Sequence, residues 1–289
     1  LIMGVFNMRR LALSALLLIF TIESALAFVM TPRSIAHRDA TLMKMRPAHR
    51  RAPLSLSSDA TRVAWGPIDV KDVSKYIFGS TGQFALIAAA LKALDAAGAS
   101  ALPPVCMSPL FAFLSLRSRV FSCLDNRRPN RSEQGGAATP VDTKRPSWTP
   151  PGIAFPIIWS TITLLRTISA TMVWAACGKT LFCLPILALV GHLCMGDTWN
   201  SITNAERRLG VSFAAVFGVL GSVYFAVYSF WQVSPVAGYV LAPSAVWISI
   251  ATVLTGTIWR INTPVQPLWP VKGDGKSAGL RLPFSSMNK

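Results

Sequence analysis

Apolar residues in this chain gather into long unbroken runs, and the breaks between runs are short and polar. Four runs are clear: 153–175; 181–203, with Pro185 near its start; 211–231, rich in aromatic and small residues; and 237–261, with Pro243 in its first turns. Each is near the roughly 20 residues a helix needs to cross a bilayer. The links at 177–180, 204–210 and 232–235 are short enough to force antiparallel neighbours. Upstream, 84–101 is rich in Ala and Leu and helical by composition. Pro103-Pro104 interrupts it, and 105–116 is apolar but short, stopped by Arg117-Ser118-Arg119. One of these two pieces is the first span, or both form a broken one. Lys92 and Asp95 stand three apart on one helix face and can pair. Residues 71–75 are polar and fit a short surface turn or helix. The pattern predicts an all-α integral membrane bundle of five transmembrane helices.

Composition agrees. The chain has 289 residues, 52% apolar and 14% charged, well under the roughly 25% charged residues of soluble domains. Its net charge of +16 is concentrated in the first 60 residues and in the loops. Basic flanks around apolar spans suit anionic lipid surfaces and orientation signals. No basic motif is interleaved with exposed aromatics, so nucleic acid is not an expected partner. The five cysteines form no CxxC pair and no even disulfide framework, and they read as small buried hydrophobes.

The front end reads as a delivery segment. Met8-Arg9-Arg10 precedes a short apolar run at 11–20, and Ser24-Ala25-Leu26-Ala27 ends like a signal-peptidase site. Phe28 follows the cut, and 31–58 is rich in Arg, Ser, Thr, Ala and Pro, with Asp39 its only acid. That is a transit-peptide composition. The chain therefore divides into a signal peptide at 1–27 and a transit-peptide-like segment at 28–60. A first-helix region with a long polar loop follows at 61–143, then a four-helix core at 144–262 and a disordered tail at 263–289. Signal and transit segments joined at Phe resemble the bipartite plastid presequence of algae with secondary plastids, which implies a plastid membrane.

The most distinctive stretch is Arg145-Pro146-Ser147-Trp148-Thr149-Pro150-Pro151, leading into Phe155-Pro156-Ile157-Ile158-Trp159. Proline fits a first helical turn, which has no partner for its N–H, and tryptophan suits a membrane interface. Together with Val233-Ser234-Pro235-Val236-Ala237-Gly238, Pro243, Trp247 and the closing Trp259-Arg260-Ile261-Asn262, these motifs resemble the TspO/MBR family of tryptophan-rich sensory proteins and mitochondrial translocator proteins. The resemblance covers about 144–262 and is poor over the first helix. It implies a five-helix membrane bundle, a homodimer, and a pocket between helices that takes a tetrapyrrole or a sterol-like ligand. By resemblance Trp159 and Trp247 match pocket tryptophans, a pair tied in some bacterial members to light-dependent porphyrin breakdown. Indole faces can stack on a flat macrocycle. Trp148 and Trp269 fit interface anchoring better.

Departures from the family pattern cluster at that pocket. The third helix reads Gly196-Asp197-Thr198-Trp199: Trp199 keeps the family's second indole, while Gly196 and Asp197 replace its Asn and first indole. Thr163, Ser244 and Thr255 stand where Tyr, Tyr and Asn are customary, and Gly256 takes the place of the Tyr that a sterol-type pattern needs. Sterol recognition by that pattern is therefore not expected. Ionisable residues within a membrane core are functional candidates by default. Arg166 lies about 14 residues, or about 20 Å, inside the second helix, His192 lies at a similar depth in the third, and Asp197 is about 8 Å shallower. These depths suggest a buried Arg166–Asp197 pair with His192 nearby. Such a pair would either fix helix packing or anchor a pigment, with Arg166 on a propionate or carbonyl and His192 on a central Mg.

No HExxH, P-loop, GxSxG or GxGxxG context is present, and acids are too few for a paired-carboxylate site. Enzymatic turnover is not indicated and no cofactor is obligatory; any chemistry would be light-driven on a bound porphyrin or chlorophyll-type pigment, with Trp159 and Trp247 as redox partners. The expected function is tetrapyrrole binding as sensor, carrier or scavenger. The alternative is a non-enzymatic structural or assembly factor of a photosynthetic membrane complex. The ligand-binding set is Trp159, Trp247, Trp199, Arg166, His192 and Asp197.

Overall fold

The structure, a computed structural model, describes residues 66–125, 143–281 and 283. The expected signal and transit segments and most of the long loop lie outside these residues. Among the described residues there are six α-helices: α1 (Val70–Ala96), α2 (Pro104–Arg117), α3 (Ala154–Ala176), α4 (Leu184–Asn200), α5 (Leu209–Val233) and α6 (Pro235–Ile261). There is no β-strand among them, only isolated bridges. Four helices, α1, α3, α5 and α6, are long and apolar enough to cross a membrane. At most 39% of any such apolar window is buried inside the bundle, so most of each helix faces outward, as lipid contact requires. α4 is shorter, but a π-turn at Ser201–Ala205 continues it.

The first span differs from its expected bounds. α1 starts at Val70, so the polar stretch at 71–75 forms its opening turns. Asp69 caps it, accepting from the N–H groups of Lys71 and Asp72. Asp72 and Lys75 can sit there because packed loops and tail supply their partners, described below. α2 then returns antiparallel: Gln83, midway along α1, donates to the carbonyl of Ser118 just beyond α2. A 3-10 turn at Ser118–Phe121 follows, and the Asp125 N–H reaches Gly279 in the tail. The two upstream pieces are thus two antiparallel helices. α1 packs on α4, α4 on α5, α5 on α6, α6 on α3, and α3 on α2.

One apolar core joins all six helices near the ends where α1 and α3 finish. Trp174, Phe230, Leu241, Ile186, Leu91 and Phe111 are each at most 2% exposed there. At full burial, side chains of this size contribute about 1.5–3 kcal/mol each. Asp95 closes that end, accepting from the N–H groups of Leu181 (2.9 Å) and Phe182 (2.8 Å). Lys92, expected to pair with Asp95, instead lies over the Phe182 ring.

The signature motifs meet at the opposite end. The Asn262 side chain takes both backbone groups of Lys144, accepting its N–H (2.9 Å) and donating to its carbonyl (3.0 Å). Trp259 stacks on Phe213 at 5.1 Å and donates to the Gln266 carbonyl. Trp148 is 47% exposed, in keeping with an anchoring role. Trp269 instead donates to the Gly66 carbonyl.

The tail was expected to be disordered, yet 263–281 packs under the bundle. Its organiser is Arg208, in the short link between α4 and α5. Arg208 is 3% exposed and forks onto both carboxylate oxygens of Asp274, at 2.7 and 3.0 Å. It also meets Asp72 (2.5 Å), Glu206 (3.1 Å) and the Tyr76 hydroxyl (2.6 Å). Lys75 joins Glu206, Asp72 and Ser277. Burial works against the Arg208 charge, but Asp274, Asp72 and Tyr76 hold its pKa above the ordinary value. Burial would raise the Asp274 carboxyl, but Arg208 and Lys276 hold it below its ordinary value. Gly210 lies in the first turn of α5; a Cβ there would sit 2.1 Å from the Pro267 carbonyl oxygen. The glycine lets the tail approach.

Candidate ligand-binding site

Arg166 and His192 are brought together near the middle of the bundle, 5% and 2% exposed. Arg166 sits on α3 because its neighbours Ile162, Ser169 and Ala170 share the buried face of that helix. Its Nη2 is 2.7 Å from His192 Nε2. A guanidinium only donates, so Nε2 accepts and the imidazole is neutral with its proton on Nδ1. Nδ1 then donates to Ser222 Oγ (3.1 Å), whose hydroxyl donates to the Val219 carbonyl (2.8 Å). A directed chain thus crosses α3, α4 and α5.

Asp197 makes different bonds. Its Oδ2 accepts from Gln83 (2.8 Å) and from the Ser118 hydroxyl (2.6 Å), tying α4 to α1 and to the end of α2. Arg166 and Asp197 form no ion pair within 4.0 Å, in contrast to the expected pairing, although each lies in the other's field. The physical reason is a competitor: Gln83 and Ser118 reach the carboxylate from α1 and α2.

Arg166 therefore has one neutral partner, and its Nε–H has none. A charge at a bilayer centre costs about 2.5–3.5 kcal/mol on insertion scales. One hydrogen bond to a charged group returns about 1.5–3 kcal/mol, and a buried unpaired donor costs about 1–3 kcal/mol more. The arrangement is left short of an acceptor. His192 has both nitrogens engaged, so a metal-ligand role for it would require Arg166 to let go; the geometry speaks against the expected central-Mg contact.

The tryptophans divide. Trp247 (α6) and Trp199 (α4) pack on one small cluster of Val219, Val223, Ala245 and Ile248. Trp199 donates to the Ser212 carbonyl at 3.1 Å. The indole N–H of Trp247 is buried without a partner. Phe155, from the start of α3, meets the Trp247 ring edge-on at 6.1 Å. One face of Trp247 lines an open groove of about 400 Å³ along α6, with Tyr239, Pro243 and Ile250. Trp159 is outside this cluster, 38% exposed on α3. Gly256 is filled from across the bundle: a Cβ there would stand 2.7 Å from the Phe213 ring. A Tyr there would have to displace the Phe213 ring. Among the described residues no group of three or more His, Cys, Asp or Glu is placed to hold a metal.

Sequence reasoning missed Gln83, Ser118 and Ser222. The signal was present for Gln83, an amide one residue before an Ala/Leu-rich run. Serines inside or beside apolar helices carry no such mark.

Comparison with known proteins adds the family context. Residues 132–260 match the TspO/MBR family model. The chain is 29% identical to protein CrtK of Rhodobacter capsulatus over 126 residues, 43% of this chain and 79% of that protein. It is 26% identical to the human translocator protein over 121 residues, 41% of this chain and 72% of that protein. With the tryptophan-rich sensory protein of Cereibacter sphaeroides it shares 24% over 118 residues, 41% of this chain and 73% of that protein. α1, α2 and the tail beyond 260 lie outside the family match.

Proposed function

Through residues 132–260 the chain belongs to the TspO/MBR family, and from that premise we propose that it binds a tetrapyrrole, porphyrin or chlorophyll-type, between its helices, as sensor, carrier or scavenger in a plastid membrane. It is a membrane protein of that family. Relatives named for sensing and translocation support the class of activity. The observation that carries the reading is Arg166: a buried guanidinium with an open N–H, short of the acceptor that a tetrapyrrole carboxylate or carbonyl would supply. Trp247 offers a second unpartnered N–H beside an apolar wall.

The test uses the full chain purified in mild detergent. Protoporphyrin IX should quench its tryptophan fluorescence at micromolar concentration, and protein purified from its native membrane should carry Soret-region absorbance. Absence of both signals would remove the reading. A second reading, an assembly factor of a photosynthetic membrane complex, is favoured by α1, α2 and the packed tail, which enlarge the bundle outside the shared region. Co-migration with a photosystem on native gels, without quenching, would select it. The plastid address rests on residues 1–60, and a fluorescent protein fused to them tests it.

A further inference from the structure

The lower end of α1 carries a depression of about 540 Å³. Lys71, Ser74 and Lys75 line it together with Val70, Phe78 and Leu280. Among the described residues, no acidic side chain lines it. Lys75 is engaged with Glu206 and Asp72. Lys71 is exposed, and neither its ammonium nor the Ser74 hydroxyl has a partner among the described residues. Phe78 is 75% exposed and Val70 64%. Phe78 lies seven residues, or about 10 Å, further along the helix than Lys71. α1 is long and apolar enough to cross a bilayer, so this end meets the headgroup layer, with Lys71 nearer the headgroups and Phe78 towards the acyl region. All these residues lie outside 132–260.

We infer that this depression is a site for one anionic membrane lipid, its phosphate held by Lys71 and Ser74 beside Lys75 and its first methylenes against Phe78 and Leu280. The occupant follows from charge complementarity and depth. A cationic rim over an apolar wall fits an amphiphile with a negative head, and lipid is the solvent at that level. A free phosphate would leave the apolar wall unused. The inference rests on the membrane character of α1 and is independent of tetrapyrrole binding.

Native mass spectrometry of the full chain, released from micelles containing dioleoyl-phosphatidylglycerol or dioleoyl-phosphatidylcholine, tests it. The wild type should retain one phosphatidylglycerol through delipidation and release phosphatidylcholine. Each surface charge changes such binding roughly fivefold, so Lys71→Gln should weaken retention roughly fivefold and Lys71→Glu roughly thirtyfold. Lys71 bonds nothing through its side chain, so both variants should keep the wild-type melting temperature; Phe78→Ala, which removes the apolar wall, should also reduce retention. Equal retention of the two lipids, or unchanged retention in Lys71→Glu, would overturn the proposal. So would full displacement by glycerol 3-phosphate, which would make this a site for a soluble phosphate.

Discussion

Removing the Arg208 side chain should unfasten the tail and destabilise the bundle. Arg208→Ala deletes the fork onto Asp274 and the contacts to Asp72, Glu206 and Tyr76. Asp72 and Glu206, 5% and 2% exposed, would then face each other with Lys75 as the remaining cation. Breaking a buried ion pair from one side costs about 3–5 kcal/mol, because the other charge stays buried. At about 2–4 °C per kcal/mol for a chain approaching this size, the melting temperature should fall by about 10 °C. Arg208→Lys keeps the charge and loses the fork, so it should fall in between. Trypsin gives a local readout, since Lys272 and Lys276 lie in the docked tail: cleavage there should accelerate in Arg208→Ala. The pH dependence has a definite sign. Asp274 is depressed in the folded protein, so its contribution is present above the ordinary value of 3.8 and is lost as pH falls through the lower folded value. The tail should stay protected from pH 8 to about 5 and loosen only below about 3.8. A melting temperature within about 2 °C of wild type, with the tail still resistant to trypsin, would refute the clamp.

Three further outcomes follow from single contacts. Gly210→Ala should push the tail off α5, since its Cβ would meet backbone oxygens at 2.1 and 2.6 Å; faster trypsin cleavage at Lys272 with α5 helicity intact is the expected result. Asp95→Ala strands the N–H groups of Leu181 and Phe182, at a cost of about 1–3 kcal/mol in denaturant titration. Ser222→Ala deprives His192 Nδ1 of its acceptor, and the altered imidazole should register as a shifted histidine resonance in NMR of side-chain-labelled protein, where an unchanged spectrum would contradict the assigned tautomer.

How much of this was legible in the sequence depends on whether a residue's partner is local. Four spans came within a few residues of their bounds, because apolar length and Pro/Gly breaks are local properties. α1 did not: its first turns look like surface because Asp72 and Lys75 are charged, and what buries them is Glu206, Arg208 and a tail some 200 residues away. The tail's own composition suggests disorder for the same reason, its order residing in Arg208 and Gly210. At the centre, depth counting placed Arg166 and His192 at one level, and they do meet. It assigned Asp197 to Arg166 because helix depth says nothing about which neighbour lies on which side. Gln83 and Ser118 hold that carboxylate from α1 and α2, two helices that apolar pattern alone could not arrange.

The proposed tetrapyrrole binding turns on Arg166, whose buried Nε–H has no protein partner. The direct measurement is protoporphyrin IX affinity, by tryptophan quenching, of wild type and Arg166→Leu, each shown to be folded by its helical signal. Losing a hydrogen bond to a charged group costs about 1.5–3 kcal/mol, so Arg166→Leu should bind at least roughly tenfold more weakly. Unchanged affinity in a folded Arg166→Leu protein would make the Arg166–His192–Ser222 chain a packing device and contradict the claim.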